Sequence, residues 1–346
     1  MNVKVCIFNE YYPWSKISHN DSTYWIKGTL HYNNELIGPN ELAAALSLVV
    51  EDGKIDYDAL KATLLHLNGN FAVVIETSTH VICAVDRVRS IPLFYGRSGS
   101  ELIISDDANH IRTELTLSFN EESGAEFLVT GYVTGPDTLF DGLYQIQAGE
   151  YLTYDKANGS LITHSYHHFH HGDFFLDSEE DLLERLDDIF VNVFQRLIES
   201  INGRQIVVPL SGGLDSRIIV AMLKRLGVEN VVCFTYGREA DLEVELSRRV
   251  AESLGYEWYH VKYSNAMWYT CAHTEGMSRY RIYAGNLVSL PHHQDFPAIR
   301  ILNYEGRVLD DAVFVPGHSG DMLAGSWIPK DVRDLPHTLD FASLTP

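Results

Sequence analysis

The chain has 346 residues, 45% apolar and 21% charged, ordinary globular values for a length that predicts two domains. Its formal charge of -21 excludes nucleic acid as an expected partner. No basic patch offsets that field: the densest pair, Arg248–Arg249, sits among Glu243, Glu245 and Glu252.

The amino terminus, MNVKVCIFNEYYPW, has neither the long apolar run nor the small-residue cleavage site of a secretion signal. The longest apolar segment, Leu42–Val50, is too short to span a bilayer. Cys6, Cys83, Cys233 and Cys271 form no C-x-x-C pair, and VICAV and VVCF place Cys83 and Cys233 as small core residues. A cytoplasmic protein without disulfides, zinc or membrane contact is expected.

Residues 1–165 alternate in short runs: NVKVCIF, YWIKGTLHY, FAVVIE, HVICAVD, ELIIS and GEYLTYD. Turn residues separate them, and Pro39–Leu48 and Tyr57–Leu67 have helical spacing. Strands without regular strand–helix alternation predict an α+β domain with antiparallel sheet. Asp86–Arg87 is expected to be an internal salt bridge. The run HSYHHFHHGDFF, with His164, His167, His168, His170 and His171, reads as a solvated connector near residues 160–176. Three of its imidazoles could face one side as metal ligands, but no acid or thiol completes a set. HHQD at 292–295 is a weaker case of the same kind.

Residues 176–346 change rhythm. Ser178–Ile201 is an amphipathic helix with Leu182, Leu183, Leu186, Ile189, Phe190, Val193, Phe194 and Leu197 on one stripe. Strand QIVVPL, the loop SGGLDS, helix DSRIIVAMLKRL, strand NVVCFTYG, helix DLEVELSRRVAESL and strand YEWYHVKY follow. This alternation predicts a parallel α/β sheet with helices on both faces. Gly212 and Gly213 can adopt positive φ and admit an anion close to the backbone, with Ser211 and Ser216 as hydroxyl donors. A carboxylate at Asp215 beside a phosphate requires a cation between them, which implies Mg²⁺. Arg217 either touches phosphate or lies on the helix surface.

In this setting SGGLDS resembles the pyrophosphate loop of N-type ATP pyrophosphatases, within the asparagine synthetase and β-lactam synthetase family. LNGNFAVVI, CAVDRVRSIPLFYG, LIISDDANHI and FLVTGYVTGPDTLFDGLYQIQAGEYLTY resemble the family's class II glutamine amidotransferase domain. GREADLEVELSRRVAESLGYEWYHV and VPGHSGDMLAG resemble its synthetase segments. The resemblance implies an α+β Ntn-hydrolase-like sandwich followed by an α/β adenine nucleotide α-hydrolase-like domain. It implies that Ser211, Gly212, Gly213 and Ser216 bind pyrophosphate, and that Asp215 and Asp321 hold Mg²⁺. Backbone at Val208 and Leu210, with Phe234, would border the adenine of ATP, and Gly317 would pass close to the nucleotide. The implied reaction activates a small-molecule carboxylate as an acyl-adenylate and transfers ammonia or an amine to it.

Three departures shape the expectation. The family's nucleophile is an amino-terminal cysteine, whereas Asn2 stands at position 2 and Cys6 lies inside a strand; with TLHYNNEL in place of an FNGEIYN-like run, an inactive glutaminase domain is expected. His318 replaces the family's acid/base glutamate and takes its catalytic place, or orients the carboxylate, or is a neutral loop residue. Met322 replaces an acid, which loosens the case for aspartate and brings in sugar acids of surface-polysaccharide pathways as alternative acceptors. The chain also stops soon after Asp321, where the family supplies a lysine that Lys224, Lys262 and Lys330 do not match. That implies a truncated domain, or a homodimer or other partner that completes it, and leaves an impaired nucleotide-binding pseudoenzyme as the alternative.

Overall fold

Alternating burial along the strands builds the layers of the first unit. The structure is a computed structural model that describes residues 2–8, 13–51, 54–99, 101–169, 175–239, 241–323 and 325. By contact it divides into two units, Met1–Leu176 with His273–His293, and Asp177–Ala272 with Gln294–Pro346.

In the first unit, β1 (Asn2–Cys6), β2 (Ser15–His19), β3 (Ser22–Tyr32) and β4 (Glu35–Ile37) precede α1 (Pro39–Ser47). The ribbon β5 (Val50–Glu51) and β6 (Lys54–Ile55) leads to α2 (Tyr57–His66), β7 (Leu67–Glu76) and β8 (His80–Val85). Next come β9 (Phe94–Ser98), β10 (Glu101–Ser105), α3 (Ala108–Leu115), α4 (Glu121–Thr130), β11 (Leu143–Gln145), β12 (Glu150–Asp155) and β13 (Leu161–Ser165). One sheet has the order β1-β10-β9-β11; the other runs β13-β12-β8-β7-β3-β2, with β4 on β3.

Period-two patterning assigns each face. Ala72, Val74, Cys83 and Val85 of one sheet pack with Tyr95, Leu102 and Ile104 of the other. Val73, Ile75, Ile82 and Ala84 point away and cover Leu42 and Leu46 of α1 and Leu60 and Leu64 of α2. Phe94 and Ile103 face outward onto Ala108, Ile111 and Leu115 of α3. The result is a helix–sheet–sheet–helix sandwich of mixed α and β elements.

Three local expectations need correction. The sheets are not wholly antiparallel, because β1 pairs with β10 in parallel. Asp86 and Arg87 do not pair, since neighbours in sequence point apart. Buried Asp86 instead accepts the N–H groups of Phe71, Val88 and Ser90 at 3.1, 2.9 and 2.9 Å. Arg87 donates to the Leu65 carbonyl and, at 3.3 Å, to the Asn68 amide oxygen. The His-rich run does not begin as a solvated connector either. His164 lies on β13 and stacks on Tyr151 at 4.7 Å, where burial lowers its pKa. Tyr166 is buried, with its hydroxyl donating to the Val85 carbonyl. His170, His171 and Lys330 lie outside the described residues.

The second unit opens with α5 (Glu179–Ile201), capped by Ser178, whose hydroxyl accepts from the Asp181 N–H at 3.2 Å. It continues through β14 (Ile206–Pro209), α6 (Leu214–Arg225), β15 (Val231–Gly237), α7 (Leu242–Leu254), β16 (Glu257–Lys262) and α8 (Asn265–Ala272). After α9 (Glu275–Gly285), which groups with the first unit, come α10 (Asp295–Tyr304), β17 (Val313–Phe314) and α11 (Gly320–Leu323). The sheet order is β16-β15-β14-β17, parallel at every pairing. Val208 and Cys233 face a core shared with Phe194, Val220 and Leu223, while Val207 and Phe234 face Ala298 and Leu302. Helices therefore cover both faces, as the sequence predicts.

Candidate functional site

The chain order of the parallel sheet reverses at β14. The strands β14, β15 and β16 step one way and β17 returns to the other side of β14. Open parallel sheets bind ligands at such a switch point, beyond the carboxyl ends of the strands. Loop 210–213 leaves β14 there, and residues 315–319 leave β17 there.

The two segments touch. A Cβ on Gly317 would lie 2.9 Å from the Ser216 nitrogen and 3.2 Å from the Asp215 Cβ. One on Gly320 would lie 2.5 Å from both Cγ and Oδ1 of Asp215. Only glycine lets this chain pass so close to α6, and the approach puts Asp321, first residue after Gly320, in the strip next to Asp215. Asp215 is half-buried, while His318 and Asp321 are exposed; Ser319 takes left-handed backbone, φ 71°. Two carboxylates so placed are oxygen donors of the kind that could hold a hard dication. Among the described residues no three His, Cys, Asp or Glu side chains gather as a metal cluster.

The loop itself is tied by its serines. The Ser211 N–H donates to Ser216 Oγ at 3.1 Å, the Gly213 N–H donates to Ser211 Oγ at 3.1 Å, and the two hydroxyls lie 3.1 Å apart. Neither Gly212 nor Gly213 has positive φ, contrary to the sequence-based expectation; Gly213 is the N-cap at φ -76°, ψ 165°. Space at 212 is tight: a Cβ there would meet the side chains of Leu246 and Glu243 at 3.3 and 3.4 Å. Arg217 turns back on the loop, donating to the carbonyls of Gly213 and Gly212 at 3.0 and 2.5 Å. That draws carbonyl oxygens toward a cation on one side of the turn and leaves the helix N-terminus to the other.

Side chains of Val208, Leu210 and Phe234 are fully buried, so only their backbones reach this edge. Even there the Leu210 N–H is spent on the Phe234 carbonyl at 2.8 Å. Tyr236, two residues on, is the first side chain of β15 to emerge. It stacks on Tyr263 at 4.8 Å, and burial with Asp295 nearby pushes its phenol pKa well up. Beside it, Gly237, Arg238, Asp241, Tyr263, Asn265 and Trp268 line a cleft of about 580 Å³ at the ends of β15 and β16.

Thr235 is a residue that motif reading passes over. Its buried hydroxyl bonds the Leu210 carbonyl at 2.5 Å and the Ser247 hydroxyl at 2.6 Å, and accepts from Trp258 Nε1 at 3.2 Å. This knot anchors the start of the loop to β15, α7 and β16. Thr235→Val should cost about 2 kcal/mol by stranding those partners and should weaken nucleotide binding, measurable by denaturation and calorimetric titration.

In the first unit, Cys6 is half-buried against the cluster of Phe94, Ile103 and Ile111. Burial raises its thiol pKa, which keeps it protonated and unreactive at neutral pH. Cys83 is buried with its pKa pushed up, and that of Cys233 is raised to about 12.

Parts of the chain are similar to known proteins. The family model described as a glutamine amidotransferase domain matches residues 57–167, and that described as asparagine synthase matches residues 199–272. A probable asparagine synthetase [glutamine-hydrolyzing] of Acanthamoeba polyphaga mimivirus is 28% identical over 207 residues, 57% of this chain and 35% of the relative. The chain therefore spans about a third of that relative's length. Among solved structures, the NH3-dependent NAD synthetase of Campylobacter jejuni is 16% identical, at TM-score 0.29, over 41% of this chain and 59% of that one. The glutamine phosphoribosylpyrophosphate amidotransferase of B. subtilis is 15% identical, at TM-score 0.26, over 73% and 51%. The two halves are thus each similar to one of the domain types that the curated relative's name joins, a glutamine amidotransferase domain and an asparagine synthase.

Proposed function

We propose that the chain is an ATP-dependent carbon–nitrogen ligase that joins ammonia or an amine to a small-molecule carboxylate. The observation that carries this reading is the meeting of the SGGLDS loop with the Gly317–Asp321 strip at the sheet's switch point. ATP would activate the carboxylate by transfer of its AMP moiety with departure of pyrophosphate, and the amine would then displace AMP.

The residues divide that work. Ser211, Gly212, Gly213 and Ser216 would give their N–H and hydroxyl donors to the leaving pyrophosphate, exchanging the loop's internal bonds for charged acceptors. Asp215 and Asp321 would hold Mg²⁺, which when bound supplies charge neutralisation between the phosphates. Gly317, which lets the strip approach Ser216 and Asp215, would pass close to the nucleotide. His318, exposed beside this strip, would accept the proton the amine loses. The purine would lie against the backbone of Val208, Leu210 and Phe234, with Tyr236 beside it.

The fold of the amidotransferase-like half would persist as an inactive scaffold, because Cys6 is a packed, protonated thiol inside β1. With magnesium, ATP and a panel of amino acids and sugar acids, ammonium should support pyrophosphate release while glutamine is not hydrolysed. Glutamine hydrolysis at the amidation rate would overturn the scaffold role. A second reading, nucleotide binding without turnover, is favoured by the loop serines already satisfying one another. ATP binding with no ATP–pyrophosphate exchange across the panel would select it.

A further inference from the structure

Helix α5 is more apolar than its surroundings justify. Its stripe of Leu183, Leu186, Phe190, Val193 and Leu197 repeats at alternating spacings of 3 and 4, the heptad seam by which helices pack side by side. The carboxyl-terminal half uses that seam within the unit: Phe194 and Ile201 are buried, and Phe190, Val191, Leu197 and Ile198 lean on the same core. The amino-terminal half does not. Leu183, Leu186 and Ile189 are 59, 47 and 57% exposed, and Val193, just past the helix midpoint, is 45% exposed. The helix still starts firmly, with the Ser178 cap and acids in its first turn, and bidentate pairing of Arg225 with Asp187 fastens it to α6. A fastened helix presenting clustered aliphatic residues is built for contact.

Charge selects the occupant. Around the exposed leucines stand Glu179, Glu180, Asp181, Glu184 and Asp188, while the bases Arg185 and Arg225 are engaged by Asp177, at 3.5 Å, and by Asp187. A second copy would bring the same acids and a net charge of -21 to the contact, which opposes self-pairing through this face. We propose that the amino-terminal half of α5 docks an amphipathic helix from a partner polypeptide, with aliphatic residues at heptad spacing and lysine or arginine on both flanks. Leucines would interlock along the seam while the basic flanks meet the acids, which sets both affinity and orientation.

The test uses fluorescent peptides of roughly three heptads: leucine seam with lysine flanks, the same seam with glutamate flanks, and a scramble of the lysine peptide. Anisotropy on the full chain should show the first binding about tenfold or more tighter than either control. Leu186→Gln with Ile189→Gln should remove that advantage while circular dichroism and melting stay unchanged. Glu184→Gln with Asp188→Gln should lower the lysine peptide's affinity and its salt dependence. Equal binding of lysine peptide and scramble, or undiminished binding to the leucine variant, would overturn the proposal. So would dimerisation of the chain that the leucine variant abolishes, because a second copy would then be the occupant.

Discussion

Asp215→Ala should abolish ATP–pyrophosphate exchange, a loss of about a thousandfold or more if Asp215 shares the cation that offsets pyrophosphate charge. The fold should survive. Asp215 sits half-buried at the first turn of α6, and no backbone hydrogen bond of the loop runs through its carboxylate. A change of about 0.5 kcal/mol in stability is expected for such a position. Asp215→Asn separates charge from shape: it keeps the contact with Gly320 and should lose nearly as much activity. Exchange retained within a few fold in both variants would remove Asp215 from the site, and with it the assignment of Asp321.

The largest stability effect is expected far from the switch point, at Gly28→Ala. Gly28 (φ +118°) and Gly69 (φ +109°) lie on adjoining strands β3 and β7, each against the other strand's carbonyl. A Cβ at Gly28 would fall 1.8 Å from the Asn70 carbonyl oxygen, and one at Gly69 would fall 2.1 Å from that of Thr29. Neither obstacle can rotate away, because both are backbone inside the central strands of the larger sheet. The alanine variant should lose about 4 kcal/mol or more, or fail to fold. Chemical denaturation reads the loss, and a melting curve equal to the parent's would contradict the close approach.

Several elements were legible because their signal is local. Pro at the start of α1, Asp56 capping α2, Ser178 capping α5 and Gly255 ending α7 mark termini with chemistry that the chain carries in a few adjacent residues. The parallel pairs of the second unit followed from strand–helix alternation in the same way. The site was legible as two motifs, SGGLDS and VPGHSGD, but their contact through Gly320 and Asp215 is a tertiary fact about residues a hundred positions apart.

What stayed hidden depended on partners that pattern reading does not see. Apolar periodicity in α5 announced a buried stripe, yet half of that stripe faces outward, because periodicity reports which face is apolar and not what covers it. Asp86 next to Arg87 suggested an ion pair, whereas the geometry of a turn gave the carboxylate to three N–H groups. The glycines of the loop suggested unusual backbone angles, whereas both take ordinary ones, and at Gly212 it is the side chains of Glu243 and Leu246 on the neighbouring helix that leave little room for a Cβ. Thr235, central to holding Leu210, belongs to no motif at all.

The central claim is that this site splits ATP between its α- and β-phosphates. The chain, with ATP, Mg²⁺, ammonium and the carboxylate panel, should yield AMP and pyrophosphate in equal amounts, dependent on one class of acid and absent in Asp215→Ala. Formation of ADP and phosphate by the parent chain, abolished by the same substitution, would contradict it.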